Sequence, residues 1–233
     1  MPSIIKKLVF FLSVFCITGW WGPFAFLDML FGNNVDTPPG TQAWLNQEVS
    51  SITSQASNLD VNVLKLGLKA YLKARQEGLD AKQLLTIIDY SKPSTERRLF
   101  VVDLKKAKVL YNTWVSHGKN SGEIETRSFS NSPGSLKTSL GVFLTGEPYE
   151  GGNGYSLHLT GLEPGFNDKA YSRSIVMHGA WYVGPGQRGR SWGCPAVSTS
   201  LAKPIIDTIK DRTLIFAYGR DPNYLRKSTF LTG

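Results

Sequence analysis

One histidine and one cysteine stand at the ends of two short segments of this chain. His178 ends the run Ser174-Ile-Val-Met-His178, and Cys194 ends the run Ser191-Trp-Gly-Cys194. A thiol with an ordinary pKa of about 8.5 is only a few per cent thiolate at neutral pH, so a nucleophilic cysteine needs a nearby base or cation. We therefore predict that His178 activates Cys194 for nucleophilic catalysis.

The segment between these two residues has the composition of a surface loop that lets the chain return to where it left. Its turn-forming residues are Gly184, Pro185, Gly186 and Gly189. The preceding residues 175–177 are apolar, which predicts a short buried strand with His178 at its end. Gly193 leaves room for a carbonyl substrate, so we predict that the backbone N–H groups of Gly193 and Cys194 stabilise an oxyanion.

These residues resemble a known family. The pattern His-Gly, loop, Ser-x-Gly-Cys is similar to the signature of the L,D-transpeptidases with YkuD-type domains, which are cysteine enzymes of bacterial peptidoglycan. Over roughly residues 85 to 220, further stretches resemble its murein L,D-transpeptidase catalytic domain branch: Val115–Gly118, Phe129–Ser135, Leu140–Gly146, Gly154–Gly161, Gly165–Asn167 and His178–Ala180. In one departure, Pro195 and Ala196 follow the cysteine where most YkuD-type domains have a branched residue and then an arginine.

The resemblance implies a mainly β (α+β) fold, a YkuD-like mixed β-sheet sandwich with few helices. It also implies acyl transfer on peptidoglycan stem peptides. The stem peptide is cleaved before a terminal D-Ala through a thioester, and its acyl group passes to an amine. The carbonyl of Gly179 is then expected to orient His178, with no cofactor needed. An L,D-carboxypeptidase that uses water and a non-catalytic wall-binding module remain alternatives.

Several polar residues near the signature are candidates for substrate binding. Ser191 and Ser135 are predicted to donate hydrogen bonds, while Arg190 and Arg173 are predicted to meet a stem carboxylate. A zinc site is a further alternative, but its four possible ligands show no short ligand spacing, so we predict no metal; they are His117, His158, His178 and Cys194. For His117 and His158 two interpretations stay open: each either lines the pocket or is a polar residue whose hydrogen bonds are made within the protein.

Composition narrows the classes of partner. The 233-residue chain is 41% hydrophobic, enough for one well-formed core, and so it is not a disordered protein. Its net charge of +8 favours anionic surroundings such as the carboxylate-rich wall or anionic lipid. The basic residues are dispersed and no nucleic-acid-binding motif occurs, which argues against nucleic acid as a partner.

The N-terminus has the form of a secretory signal. Lys6 and Lys7 precede the apolar run Leu8–Gly19, and apolarity continues to Phe31, long enough to span a bilayer. A cleaved signal peptide and a retained membrane anchor are both open for residues 1–32. Either alternative predicts export to the periplasm or cell envelope, with inner-membrane or wall association.

The remaining elements follow from periodicity and turn residues. Residues 33–40 form a Pro-rich linker, and residues 41–82 a helical extension with helices over 41–58 and 61–76. Residues 83–233 form the predicted catalytic domain, with one helix over 200–210. Its predicted strands cover 85–90, 98–103, 108–115, 140–146, 155–161, 174–178 and 213–218.

Overall fold

The computed structural model describes residues 39–232. The predicted signal segment 1–32 lies outside them, and so does most of the predicted linker 33–40. Two helices come first, α1 (Gln42–Gln55) and α2 (Val61–Gln76), at the predicted places. Asp60 caps α2, because its carboxylate accepts hydrogen bonds from the backbone N–H groups of Asn62 and Val63. Within residues 39–232, no helix has both the length and the apolarity to cross a membrane.

Ten strands and three further helices follow within the described residues, which end at residue 232. Eight strands form one mixed sheet in the order β3-β2-β1-β10-β5-β6-β7-β9, in which the pairs β1/β10 and β7/β9 are parallel. The mainly β fold is confirmed, and the short β4 and β8 pair separately. The bounds are β1 (Leu84–Asp89), β2 (Leu99–Asp103), β3 (Lys108–Thr113), β4 (His117–Gly118), β5 (Gly141–Gly151), β6 (Gly154–Gly161), β7 (Val176–Ala180), β8 (Arg190–Ser191), β9 (Ala196–Ser198), α3 (Thr199–Ile209), β10 (Leu214–Tyr218), α4 (Pro222–Lys227) and α5 (Thr229–Thr232).

The N-terminal helices and the sheet share one hydrophobic core. Leu64 and Leu68 of α2 are fully buried in the same cluster as Ile87 of β1 and Phe216 of β10. Gly67 lets α2 lie close to the sheet, since a Cβ there would approach the Ile87 and Phe216 side chains to 3.2–3.3 Å. The predicted boundary between residues 82 and 83 thus divides two segments of one compact unit, which begins at Gln42.

The parallel pair β7/β9 brings the two ends of the signature together. His178 in β7 is paired with Ala196 in β9, two residues after Cys194. Gly179 lets helix α3 pack closely behind β7, since a Cβ at this position would lie 3.0 Å from the Ala202 side chain. The returning loop is held by β8, in which Arg190 and Ser191 pair with His117 and Gly118 of β4.

Candidate active site

A cavity of about 550 Å³ lies beside the first half of β7 and the two residues before it. His178 and Cys194 both line it, so the structure places the two predicted reacting side chains in one site. Arg173, Arg190 and Ser191 line it as well. The other lining residues are Gly134, Leu136, Asn153, Ser174, Ile175, Tyr182 and Trp192, and sequence reasoning named none of them as site residues.

The imidazole of His178 is held in one orientation. Its Nδ1 lies 2.9 Å from the carbonyl oxygen of Gly179, the contact predicted from the family resemblance. A carbonyl can only accept, so Nδ1 carries the hydrogen and the lone pair lies on Nε2. The side chain is 5% exposed, and this burial lowers the pKa of His178. The ring is therefore a neutral base at neutral pH.

The thiol of Cys194 is half-buried beside the backbone of Ser174. Its Sγ lies 3.6 Å from the Ser174 carbonyl oxygen. Burial raises the pKa of Cys194, while a hydrogen bond from the backbone of Val176 and the positive charge of Arg173 act in the opposite direction with smaller effect. The thiol is thus protonated at neutral pH, and His178 has to remove its proton during attack.

Two serine hydroxyls hold the backbone of the nucleophile. Ser191 Oγ donates to the Cys194 carbonyl oxygen at 2.7 Å, and Ser116 Oγ donates to the same oxygen at 2.9 Å. Ser116 also accepts from the N–H of Ala196 at 2.8 Å. We call Ser116 and Ser191 the serine clamp. Sequence reasoning missed this role of Ser116, although the residue lies in one of the stretches that resemble the family.

The predicted oxyanion site needs a correction at Gly193. The Gly193 N–H donates to Ser191 Oγ at 3.0 Å, so the clamp, not a substrate, takes up this donor. Gly193 has φ +127°, and a Cβ there would lie 2.9 Å from the Lys137 carbonyl oxygen, which explains the glycine. The N–H of Cys194 donates to no protein acceptor among residues 39–232 and remains the available donor.

Three predicted substrate-binding residues bond to the protein instead. Ser191 is 3% exposed and its hydroxyl serves the clamp. Arg173 donates to Ser135 Oγ at 3.2 Å and to the carbonyl oxygens of Ser130 and Lys137 at 2.8 Å. Ser135 and Arg173 therefore bind each other, and both hold the loop 130–139 at the cavity. In place of a stem carboxylate, the guanidinium meets backbone and hydroxyl oxygens.

Arg190 lines the cavity. Its Nη1 donates to the Glu123 carboxylate at 2.9 Å and its Nη2 to the Lys119 carbonyl oxygen at 2.9 Å. Its Nε is buried and has no hydrogen-bond partner among the described residues. Substrate binding by Arg190 stays a prediction, and a stem carboxylate would compete with Glu123 for its guanidinium.

The two histidines outside the signature have different surroundings. His117 is fully buried, with Nδ1 2.8 Å from an Arg98 guanidinium nitrogen and Nε2 3.2 Å from the Gly122 carbonyl oxygen, and burial lowers its pKa to about 4. It is therefore a satisfied polar residue. His158 stacks on Tyr149 and lines a second cavity of about 180 Å³. No group of three His, Cys, Asp or Glu side chains between residues 39 and 232 is arranged to hold a metal ion.

Comparison with known proteins places the chain in a family. Residues 55–218 match the model described as the L,D-transpeptidase catalytic domain. The match covers more than half of the chain, so this protein belongs to the L,D-transpeptidase catalytic domain family, and the resemblance stated from the sequence is confirmed. A search of curated proteins found no match.

Solved structures include similar chains at low identity. An L,D-transpeptidase from Mycobacterium smegmatis is 16% identical over 59% of each chain, with a TM-score of 0.39. The helical cell shape determining protein Pgp2 from Campylobacter jejuni is 13% identical over 66% of this chain and 57% of its own, with a TM-score of 0.39. An L,D-transpeptidase from Stackebrandtia nassauensis is 12% identical over 75% of this chain and 77% of its own, with a TM-score of 0.38. This chain thus spans less than two thirds of the length of the M. smegmatis and C. jejuni proteins.

Proposed function

We propose that this protein is a cysteine-dependent L,D-transpeptidase that cleaves peptidoglycan stem peptides before a terminal D-Ala and passes the acyl group to an amine. One observation carries the proposal. Cys194 shares a cavity with His178, whose Nδ1–H is held by the Gly179 carbonyl so that Nε2 is free to take a proton. Membership of the L,D-transpeptidase catalytic domain family supports the reaction class.

The first half-reaction forms a thioester. The Cys194 sulfur attacks the carbonyl carbon of the residue before D-Ala while its proton moves to His178 Nε2. The resulting oxyanion is stabilised by the Cys194 N–H, and one such donor contributes about 3 kcal/mol in other acyl-transfer sites. The carbon–nitrogen bond then breaks, and the imidazolium gives its proton to the departing amine of D-Ala.

The second half-reaction releases the enzyme. An amine of a second stem loses a proton to His178 and attacks the thioester carbon, and the carbon–sulfur bond breaks. The imidazolium then returns its proton to the Cys194 sulfur. If water takes the place of the amine, the product is a trimmed stem and the enzyme acts as an L,D-carboxypeptidase. We also propose that the chain is exported and works at the cell envelope, consistent with its N-terminal sequence and its net charge of +8.

The test is mass spectrometry of purified tetrapeptide muropeptides incubated with the full chain. We expect loss of D-Ala together with a new cross-linked dimer, and no change with Cys194→Ala. Cys16→Ser is the matched control, since it removes the other cysteine and leaves Cys194 intact.

The outcomes separate the alternatives. Loss of D-Ala without a dimer supports the carboxypeptidase. Full turnover by Cys194→Ala overturns the assignment of the nucleophile. An unchanged muropeptide profile with the unmodified chain contradicts the proposed activity and favours the non-catalytic wall-binding module.

A further inference from the structure

Three aromatic side chains lie in the catalytic cavity or beside it and have no part in the proposed chemistry. Trp192 and Tyr182 line the cavity. Trp181 packs edge-on against Tyr182, with 5.7 Å between the ring centroids. Trp192 is 73% exposed and Trp181 83% exposed. Large apolar side chains exposed together mark binding surfaces more often than single exposed residues do. We call these three residues the aromatic rim.

The backbone on both sides of Trp192 is held in place. Ser191, on one side of Trp192, is buried in the serine clamp, and Gly193, on the other side, is confined by the Lys137 carbonyl. Tyr182 packs against a small buried cluster that includes Ala180 and Val183. A ligand that stacks on Trp192 or Tyr182 therefore needs little ordering of the backbone, which favours binding.

Polar groups lie in the same cavity as the rim. The ammonium of Lys119 lies over one face of the Trp192 ring, 5.6 Å from its centroid, so a ligand would stack on the opposite face. Asn153 and Arg190 line the same cavity. A pyranose ring has an apolar face of C–H groups and an edge of hydroxyl groups. It can cover an aromatic face while its edge binds amide and guanidinium groups. A lipid surface or an apolar helix offers no polar group to Asn153 or to the Lys119 ammonium, whereas the hydroxyl groups of a sugar do.

We propose that the aromatic rim binds a sugar ring of the glycan strand that carries the stem peptide, with Trp192 as the main stacking face. This inference rests on the proposed function. A stem peptide is covalently attached to a sugar, so a stem seated at Cys194 brings that sugar close to the cavity. The rim then makes this protein selective for glycan-linked stems over free peptides.

The kinetic test compares two substrates, a disaccharide-tetrapeptide and the same tetrapeptide without sugar. For the full chain we expect kcat/KM to be about tenfold higher for the sugar-linked substrate, the effect of one good stacking contact. In Trp192→Ala the ratio of the two values falls to about one, whatever happens to the absolute rates. Trp192→Tyr keeps a stacking face and restores most of the ratio.

Tyr171→Ala is the matched control for the kinetic test. Tyr171 is 65% exposed but does not line the catalytic cavity, so its removal leaves the ratio unchanged. A ratio of one in the unmodified chain overturns the proposal, and so does a ratio that Trp192→Ala leaves intact. Both outcomes leave the transpeptidase function standing.

A binding test is independent of turnover. The full chain with Cys194→Ala is titrated with tri-N-acetylchitotriose, and the indole N–H signals are followed by NMR, assigned with Trp192→Phe and Trp181→Phe. We expect the signals of Trp192 and Trp181 to shift, and that of Trp114, whose indole donates to the Thr95 carbonyl, to stay. Shifts without turnover of either substrate support the rim and contradict the proposed activity. Shifts only with anionic phospholipid vesicles, and none with the sugar, overturn the rim proposal.

Discussion

In the resting site the Cys194 thiol keeps its proton and His178 is neutral. Burial raises the pKa of the thiol and lowers the pKa of the imidazole, and both shifts favour the neutral pair over a thiolate and an imidazolium. The nearby Arg173 lowers the thiol pKa, but burial has the larger effect. The site therefore holds its nucleophile in an unreactive form until a substrate carbonyl is in place and His178 takes the proton.

This protonation state predicts slow alkylation of Cys194. A thiol with a raised pKa is less ionised at every pH, so the rate with iodoacetamide should reach half its maximum at a pH above the ordinary thiol value of about 8.5. The measurement is the alkylation rate of Cys194 between pH 6 and 11, by mass spectrometry of its peptide. Arg173→Gln removes a positive charge and should move the midpoint higher. A midpoint below that of free cysteine shows a resting ion pair and contradicts the neutral site.

The lowered pKa of His178 sets the acid limb of the pH–activity profile. His178 must be neutral to accept a proton, and burial lowers its pKa, so activity should persist below the ordinary histidine pKa of about 6.5 and be lost only as the pH falls through the lowered value. The measurement is kcat/KM for D-Ala release against pH. An acid limb centred above the ordinary value contradicts a buried neutral base.

At the scale of elements, the shortest ones shape the site. Ser116 directly precedes β4, and Ser191 ends β8, so the pairing of these two strands positions both hydroxyls at the Cys194 carbonyl. The Cys194 carbonyl is thereby fixed, and the chain just before the nucleophile is held by the hydrogen bond from the Gly193 N–H to Ser191 Oγ. Precise placement of a nucleophile is worth a large share of the rate of acyl transfer.

Removal of one clamp hydroxyl should lower kcat more than it raises KM. Ser116→Ala removes one donor to the Cys194 carbonyl and one of the two acceptors of the Ala196 N–H, the other being that carbonyl at 3.0 Å. We expect a loss of about 0.5–1.5 kcal/mol in the free energy of unfolding. We also expect kcat to fall at least about tenfold, the equivalent of 1.4 kcal/mol in the barrier. The measurements are denaturant unfolding and steady-state kinetics.

Ser94→Ala is the matched control for the clamp. Ser94 is also buried, and its hydroxyl donates to the Arg188 carbonyl in the same returning loop, but it does not contact Cys194. It should lose comparable stability without the fall in kcat. An equal fall in kcat in both variants shows that general loosening of the loop, rather than the clamp, controls the rate.

The sequence predicts elements that are long enough to show a pattern. Helices α1, α2 and α3 and the seven longer strands overlap their predicted ranges, because their apolar residues recur at helical spacing or form short apolar runs. Among the bounds that differ, β5 extends to Gly151, and β7 continues to Ala180, so His178 lies in the middle of its strand and not at the predicted end. Strands β4, β8 and β9 have two or three residues each, too few for a period, and they were missed. Helix α4 was missed although Asp221 and Pro222 are typical of a helix start.

The sequence predicts the reacting pair of the candidate site but not the hydrogen-bond partners of the residues around it. Cys194 and His178 follow from the pairing of residue types with the family pattern, and the structure places both in one cavity. The Gly193 N–H donates to Ser191, and Arg173 donates to Ser135, instead of to a substrate. These hydrogen bonds depend on which groups meet after folding. Residue types alone do not decide between a bond to substrate and a bond to the neighbouring loop.

At the scale of the whole molecule, the N-terminal helices introduce a buried carboxyl group. Glu48 of α1 is 3% exposed, and one of its carboxylate oxygens has no hydrogen-bond partner among the described residues. Burial, and secondarily the negative charge of Asp103, raises the pKa of Glu48 to about 7. The folded protein therefore keeps a proton on Glu48 at pH values where the unfolded chain has released it.

This buried carboxyl group predicts that Glu48 destabilises the protein as the pH rises. Between about pH 4.5 and 7 the folded state binds more protons at this residue than the unfolded state, so its contribution to the free energy of unfolding decreases with pH, by up to about 3 kcal/mol. Glu48→Gln keeps the shape and cannot ionise. Relative to the unmodified chain, the variant should gain that amount between pH 4 and pH 8 in urea unfolding.

Two comparisons isolate this effect. His117, whose pKa is lowered to about 4, acts in the opposite direction over nearly the same range, because the unfolded chain takes up its proton first as the pH falls. The informative quantity is therefore the difference in the free energy of unfolding between variant and unmodified chain at each pH, in which the contribution of His117 cancels.

Glu77→Gln, at the exposed end of α2, should show no such pH-dependent difference. If Glu48→Gln behaves like Glu77→Gln, then Glu48 ionises freely in the folded protein, and α1 is not packed tightly enough on the core to exclude water.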